Sequence, residues 1–274
     1  MSILYNIKLQ SLKYKKSYVN HKDIALIYDK ISKTHYSSKS SGFLEDYKKI
    51  FSYLDFKKDA RVLEVGCGDG FLSRLIPDSL HYLGIDISSK MINEALKKNK
   101  ENRKNISFEK VNAMDFVKFA SDNSYDLIIF SFSWKYFDND FQNKIFSILK
   151  NDGSMVIIDD FADNFTEIFN DFDNFKRANH SAVSKINLFN TNGENTEKIN
   201  KGLISLGFSQ TIFLTFERQY NNALDYLTNS GIIPELASEF GNASELYSSK
   251  FEELLKSKNF SLKKQKNYIC IAKK

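Results

Sequence analysis

The stretch Val62-Leu63-Glu64-Val65-Gly66-Cys67-Gly68-Asp69-Gly70 reads as a buried strand running into a glycine-rich turn, and an apolar segment with helical spacing, Phe71 to Ile76, follows at once. Glycines at this place let the chain turn sharply and let a ligand approach the main chain with no Cβ in the way. A helix start beyond them presents unpaired N–H groups and the positive end of a dipole, which suit a carboxylate or a phosphate. The next apolar run, Leu83-Gly84-Ile85-Asp86-Ile87, ends on an acid, and an acid there can accept hydrogen bonds from both hydroxyls of a ribose. A ribonucleoside is therefore the expected ligand. Dinucleotide-binding folds share this arrangement, but their fingerprint is GxGxxG, whereas here glycines stand at 66, 68 and 70 behind an acid at Glu64.

Outward from this turn, short β-branched runs alternate with helix-length amphipathic segments. RVLEV, HYLGI, ISFEKV, YDLIIF and SMVIID are separated by FLSRLI, SSKMINEALKKN, AMDFVKFA and DFQNKIFSILK. Strands alternating with helices predict a doubly wound α/β fold, a mostly parallel sheet with right-handed crossovers covered on both faces. Buried central strands should be continuously apolar, as LIIF and MVII are. Further along, a helix is expected from Thr196 to Leu206, stopped by Gly207. SQTIFLTFE and KNYICIAKK then supply a sixth and a seventh strand, with a helical insertion at about 218–262 between them. Before residue 60, two apolar faces (Ile24, Ala25, Ile27, Tyr28, Ile31 and Phe43, Tyr47, Ile50, Phe51, Leu54) predict N-terminal helices. The expected organisation is one domain over 1–274, with a cofactor-binding core at 20–160 and the insertion as a lid.

Within this frame the sequence resembles the class I S-adenosylmethionine-dependent methyltransferases. EVGCGDG looks like that family's first motif and GIDIS like its second; Val111-Asn112-Ala113-Met114-Asp115-Phe116, Tyr125 to Phe132 and Leu149 to Ser154 match three more in the right order. The resemblance implies a Rossmann-like seven-stranded sheet and S-adenosyl-L-methionine as cofactor. It implies that Gly66, Cys67 and Gly68 hold the methionine moiety, with Glu64 orienting the loop and favouring the ammonium group. By the same resemblance Asp86 and Ile87 border the ribose, Asn112 and Ala113 read the adenine, and Ser131 lies beside the sulfonium. Asp115 and Asp126 are expected to cap the following helix and the start of the sheet.

The acceptor half is less legible, for a chemical reason. A sulfonium already makes its methyl group electrophilic, so the protein has to align a nucleophile and exclude water, and a base is needed only for an acceptor that arrives protonated. Candidate acceptor-side residues are Tyr28, His35, Tyr36, Trp134, Tyr136 and His180, each also explicable by packing. No Pro-Pro-aromatic motif and no cysteine follows strand four, and no carboxylate set for a catalytic metal stands out. The expected reaction is methyl transfer to a small molecule, at oxygen sooner than nitrogen; a macromolecule methyltransferase and a non-catalytic binding scaffold are the alternatives.

Composition is that of an ordinary soluble globular protein. The 274 residues are 42% hydrophobic and 27% charged, with a net charge of +5. Lysines are spread among acids, or gather where a helix should end, as at Lys97-Lys98-Asn99-Lys100, so no nucleic-acid patch is expected. No apolar run is long enough to span a bilayer, and the N-terminus is a poor signal peptide. Two cysteines outside any paired motif fit a reducing, cytoplasmic setting.

Overall fold

In a computed structural model of the chain, the described residues are 24–26, 28–29, 32, 47–48, 51–54, 56–99, 103–160, 196–219, 249–250, 253–254, 257 and 264–274. Seven strands are β1 (Arg61–Val65), β2 (His81–Asp86), β3 (Ile106–Lys110), β4 (Tyr125–Ser131), β5 (Leu149–Asp160), β6 (Gln210–Gln219) and β7 (Lys264–Lys273). Among the described residues the helices with placed bounds are α1 (Ser89–Lys98), α2 (Ala113–Phe119), α3 (Asn139–Ile148) and α4 (Thr196–Leu206). One sheet forms in the order β3-β2-β1-β4-β5-β7-β6, with β7 antiparallel to both of its neighbours and the other pairings parallel.

The period-2 alternation of the strands separates two cores. Leu63, Val65, Ile128, Phe130, Met155 and Ile157 face one side, packed against residues of α2, α3 and α4. Val62, Leu127, Ile129, Val156 and Ile158 face the other, under Tyr47, Leu54, Leu72 and Ile76. Burial on both faces explains why the central strands are apolar throughout.

Helix starts follow local capping chemistry. The Oγ of Ser88 accepts from the Met91 N–H at 3.1 Å to open α1, Asn112 accepts from the Met114 N–H at 2.9 Å to open α2, and Asp138 accepts from the Phe141 N–H at 2.9 Å to open α3. Gly207, at φ 109°, ends α4 as expected.

Two elements differ from the sequence reading. Phe71 to Ile76 does not make an α-helix: only a 3-10 turn forms, Leu72–Leu75, and Ile76 is already extended. Pro77 disfavours helical backbone in the residue before it and so halts the turn. Leu149 to Gly153, expected as a turn, belongs to β5, whose pairing with β4 shifts register between Tyr125 and Leu127 to absorb the extra residues.

Candidate functional site

Strand order reverses between β1 and β4, since the chain runs outward through β2 and β3 and then returns to the other side of β1. Ligands of such sheets bind outside the carboxyl ends of the strands at this switch. A cleft lies there, with about 1060 Å³ of space counted out into open solvent. Of the residues singled out from sequence, Tyr28, Glu64, Gly66, Cys67, Gly68, Asp86, Ile87, Ala113, Ser131 and Tyr136 all line it.

The floor is built by β1 and β2. Glu64 is 2% exposed and its carboxyl group accepts a short hydrogen bond from the Tyr82 hydroxyl. Gly84 is what permits this: it pairs with Glu64 across the strands, and a Cβ on it would stand 2.8 Å from the Tyr82 hydroxyl oxygen. Among the described residues no cation pairs with Glu64. Burial, reinforced by the negative charges of Asp69 and Asp86 and only partly offset by Tyr82, pushes its carboxyl group up to about 8. Asp69, also buried, differs because Lys98 at the end of α1 reaches it at 2.5 Å.

Asp86 grips the glycine loop. Its carboxylate accepts from the Gly68 N–H at 2.9 Å and from the Ser88 N–H at 2.8 Å. Burial raises its proton affinity, and these two donors work against that rise. The loop's other donors are turned inward as well. Gly66 and Cys67 N–H groups bond the Ile85 carbonyl at 2.8 and 3.0 Å, and the Gly70 N–H bonds the Cys67 carbonyl at 3.0 Å. The tight turn thus engages the N–H groups of the loop at these four positions itself. The loop contributes shape instead. Gly68, at φ 52°, has nothing within 4 Å of where a Cβ would stand, so the main chain there is open to a ligand. Burial pushes the Cys67 thiol well above its usual range, which leaves it an apolar wall group.

The wall opposite comes from the end of β4. Phe132 adopts φ 56°, a left-handed conformation costly for a residue with a side chain. Its N–H is held by the Ile158 carbonyl at 2.8 Å. This kink puts Ser131, Phe132 and Ser133 all on the cleft. Ser133 braces the loop by donating its hydroxyl to the Val65 carbonyl at 2.6 Å, and Ser131 shares a hydrogen bond of 2.8 Å with the Tyr47 hydroxyl.

The N-terminal segment adds lining residues. Ile24 and Tyr28 line the cleft, and Asp29 ties them down by accepting from the Ser88 hydroxyl at 2.5 Å and the Lys90 N–H at 3.1 Å, at the positive end of α1. Asp29→Ala removes a capping interaction of about 0.5–2 kcal/mol. The expected result is a melting temperature lower by a few degrees together with weaker ligand binding, checked by thermal denaturation and calorimetry. A variant that melts earlier yet binds unchanged would separate this segment from the site.

Other candidates lie elsewhere. Trp134 is buried in the core edge-on to Phe130, with ring centroids 4.8 Å apart, and is not among the cleft-lining residues. Asn112 does not line the cleft either; its side-chain oxygen is committed to capping α2, while Ala113 beside it does reach the wall. Asp126 holds the start of the sheet, accepting from the Arg61 N–H at 2.8 Å and from Lys150. His35, Tyr36 and His180, and most of the 218–262 insertion, fall outside the described residues. Sequence reading missed Tyr47, Asp69 and Phe137 as lining residues; all three read as core or loop until the fold brings them to the switch point. No group of three or more metal-ligating side chains occurs among the described residues, and no described helix is long and apolar enough to cross a membrane.

Comparison with known proteins agrees with this geometry. Residues 62–153 match the sequence profile of a family described as a methyltransferase domain. Over 109 residues it is 32% identical to the malonyl-[acyl-carrier protein] O-methyltransferase of Acetivibrio thermocellus, a match that spans 38% of this chain and 36% of that relative. The fold is shared with the YcgJ protein of Bacillus subtilis at a TM-score of 0.57 and 15% identity, covering 84% of this chain and 98% of that one. It is shared too with the phosphoethanolamine N-methyltransferase 2 of Haemonchus contortus, solved with S-adenosyl-L-methionine, at a TM-score of 0.57 and 17% identity, covering 89% and 57% of the two chains.

Proposed function

We propose that the protein transfers the methyl group of S-adenosylmethionine to an oxygen atom of a small molecule. The observation that carries this reading is the pairing, in one cleft at the switch point, of a buried uncompensated acid with a second acid beside an open glycine. Glu64 has no cation beside it among the described residues and fits an ammonium group. Asp86, whose two oxygens each hold one N–H, has lone pairs left for hydroxyl donors. Gly68 leaves room along the main chain. A sulfonium nucleoside with an amino-acid tail matches all three, and when bound it supplies a methyl group that needs no further activation.

The residues of the chain then position and exclude. The loop from Gly66 to Gly70 with Asp86 and Ala113 fixes the nucleoside, and Ser131, Phe132 and Tyr136 border the space left for an acceptor. Ile24 and Tyr28 from the N-terminal segment line the same cleft. Alignment of the reacting atoms can supply on the order of 7–11 kcal/mol of the barrier. Oxygen is favoured over nitrogen because the acceptor side carries hydroxyl donors and because the relative from Acetivibrio thermocellus is an O-methyltransferase. The free, buried cysteines Cys67 and Cys270 suit the cytoplasm as its compartment.

Calorimetry tests the cofactor assignment directly. S-adenosylmethionine and its demethylated product should bind, and NAD should not. A folded Asp86→Ala variant loses charge-assisted hydrogen bonds of roughly 1.5–3 kcal/mol each, so its affinity should fall at least about tenfold. Binding of NAD with none of S-adenosylmethionine, or unchanged affinity in Asp86→Ala, would overturn it.

A further inference from the structure

Resting on the cofactor reading above, we propose that Tyr82 is a positioning residue for the ammonium end of the cofactor. It holds the Glu64 carboxyl group in one orientation and steadies the negative charge that a bound ammonium group requires. Tyr82 stands on β2 and does not itself line the cleft, whereas Glu64 on β1 does. The two strands run parallel, with Val62 opposite Tyr82 and Glu64 opposite Gly84. Side chains at 82 and 84 belong to one face of the sheet, so the Tyr82 ring passes over the glycine to reach the acid beyond it. Its hydroxyl donates to Oε2 of Glu64 in a short hydrogen bond. A Cβ at position 84 would stand 2.8 Å from that hydroxyl oxygen and 2.9 Å from the Cys67 Sγ. Gly84 is the notch that lets the bond form.

The ring is fixed independently of the acid. Tyr82 is buried and meets Phe108 of β3 edge-on, with ring centroids 5.9 Å apart. Phe108 lies in turn against the glycine loop, where a Cβ at Gly70 would stand 2.8 Å from its ring. A donor locked by packing presents its hydrogen in one direction. The bond takes up Oε2 and leaves Oε1 as the oxygen to meet a ligand. The titratable groups that share the cleft with Glu64 are Tyr28, Cys67, Asp69, Asp86 and Tyr136, and Lys98 reaches Asp69 from α1. Charging of Glu64 is opposed by burial and by both aspartates, and it is favoured by the Tyr82 hydroxyl. A hydrogen bond to the charged form favours that form. On binding, the neutral Glu64 carboxyl group releases its proton to solvent, and the ammonium group of the cofactor, keeping its own three hydrogens, faces the carboxylate. Tyr82 then backs an ion pair.

Calorimetry of the full-length protein with S-adenosylhomocysteine, run from pH 6 to pH 9, tests this. At pH 7 a Tyr82→Phe variant should bind about tenfold more weakly than wild type. The gap should narrow towards pH 9, where Glu64 ionises with or without the hydroxyl. Gly84→Ala keeps the hydroxyl but pushes it off the acid, so it should shift the pH profile in the same direction. In a Glu64→Gln background, Tyr82→Phe should add no pH-dependent change. Melting curves of the ligand-free protein give a second readout. Loss of the hydroxyl raises the proton affinity of folded Glu64 further, so the stability of Tyr82→Phe should go on falling with pH above 8, where the Glu64 contribution in wild type levels off. Unchanged affinity in Tyr82→Phe would overturn the proposal. So would a loss of affinity equal at every pH, since distortion of the strand weakens binding without touching the charge. In both cases binding by wild type leaves the cofactor reading standing, whereas failure of wild type to bind S-adenosylhomocysteine or S-adenosylmethionine sinks both.

Discussion

Replacing Gly66 with alanine is expected to destabilise the protein by about 2–5 kcal/mol and to abolish cofactor binding with it. Two independent costs add. Gly66 sits at φ 76°, where a residue with a Cβ pays roughly 1–2 kcal/mol. That Cβ would stand 2.8 Å from the Ser133 Cβ and 3.2 Å from its hydroxyl oxygen. Ser133 cannot step aside cheaply, because it is buried and its hydroxyl is bonded to the Val65 carbonyl at 2.6 Å. Forcing extra atoms into such packing costs about 1–3 kcal/mol. Against a total stability of roughly 5–15 kcal/mol this is a large fraction. Gly68→Ala is the control: its φ of 52° brings a similar backbone cost, but its Cβ meets no neighbour. It should stay more stable than Gly66→Ala and still bind cofactor poorly, because the methyl group occupies ligand space. Chemical denaturation and calorimetry on the two variants check this. Equal stability of Gly66→Ala and wild type would mean that Ser133 does not clamp the loop.

The same contrast shows what the sequence could and could not reveal. Strands β1, β4 and β5 were legible because each holds an apolar run buried on both faces, β2 and β3 because they recur between helix-length segments, and Thr196 to Leu206 because Gly207 marks its end. The acid at Asp86 was legible because it closes a strand next to a glycine loop. What escaped depends on neighbours distant in sequence. Tyr47 looked like one more apolar helix residue until the fold set its hydroxyl against Ser131, 84 residues away. Trp134 lies on the strand-four loop, as a ligand-facing residue would, yet Phe130 and the core under α3 claim its ring. Asn112 carries the amide expected to read a base, but a residue directly before a helix is also the natural cap, and the cap took its oxygen. Tyr82 could have been paired with Glu64 from sequence, since the parallel register of β1 and β2 sets Gly84 opposite the acid and leaves the space.

Glu64 yields the second large effect, a stability that falls as pH rises. In the unfolded chain its carboxyl group titrates near the ordinary 4.5, and in the fold burial pushes it to about 8. Between those values the folded protein holds a proton that the unfolded chain has released, so stability decreases with increasing pH. The contribution is complete below 4.5 and lost as pH passes through 8. Each pH unit inside the window is worth up to about 1.4 kcal/mol. Asp86, raised in the same direction, adds to the slope. From pH 5.5 to 8 the melting temperature of the ligand-free protein should therefore drop by on the order of 10 °C. Glu64→Gln keeps an acceptor for the Tyr82 hydroxyl and has nothing to ionise, so its melting temperature should vary much less over the same range. A bound ammonium group reverses the preference by favouring the charged carboxylate. S-adenosylhomocysteine should then bind wild type more tightly as pH rises towards 8 and expel close to one proton at neutral pH. The released proton is measured by calorimetry in buffers of different ionisation enthalpy, and it should vanish in Glu64→Gln. An identical pH slope and identical proton release in wild type and variant would show that Glu64 is ionised already in the free protein, and that its burial is compensated by a partner other than Tyr82.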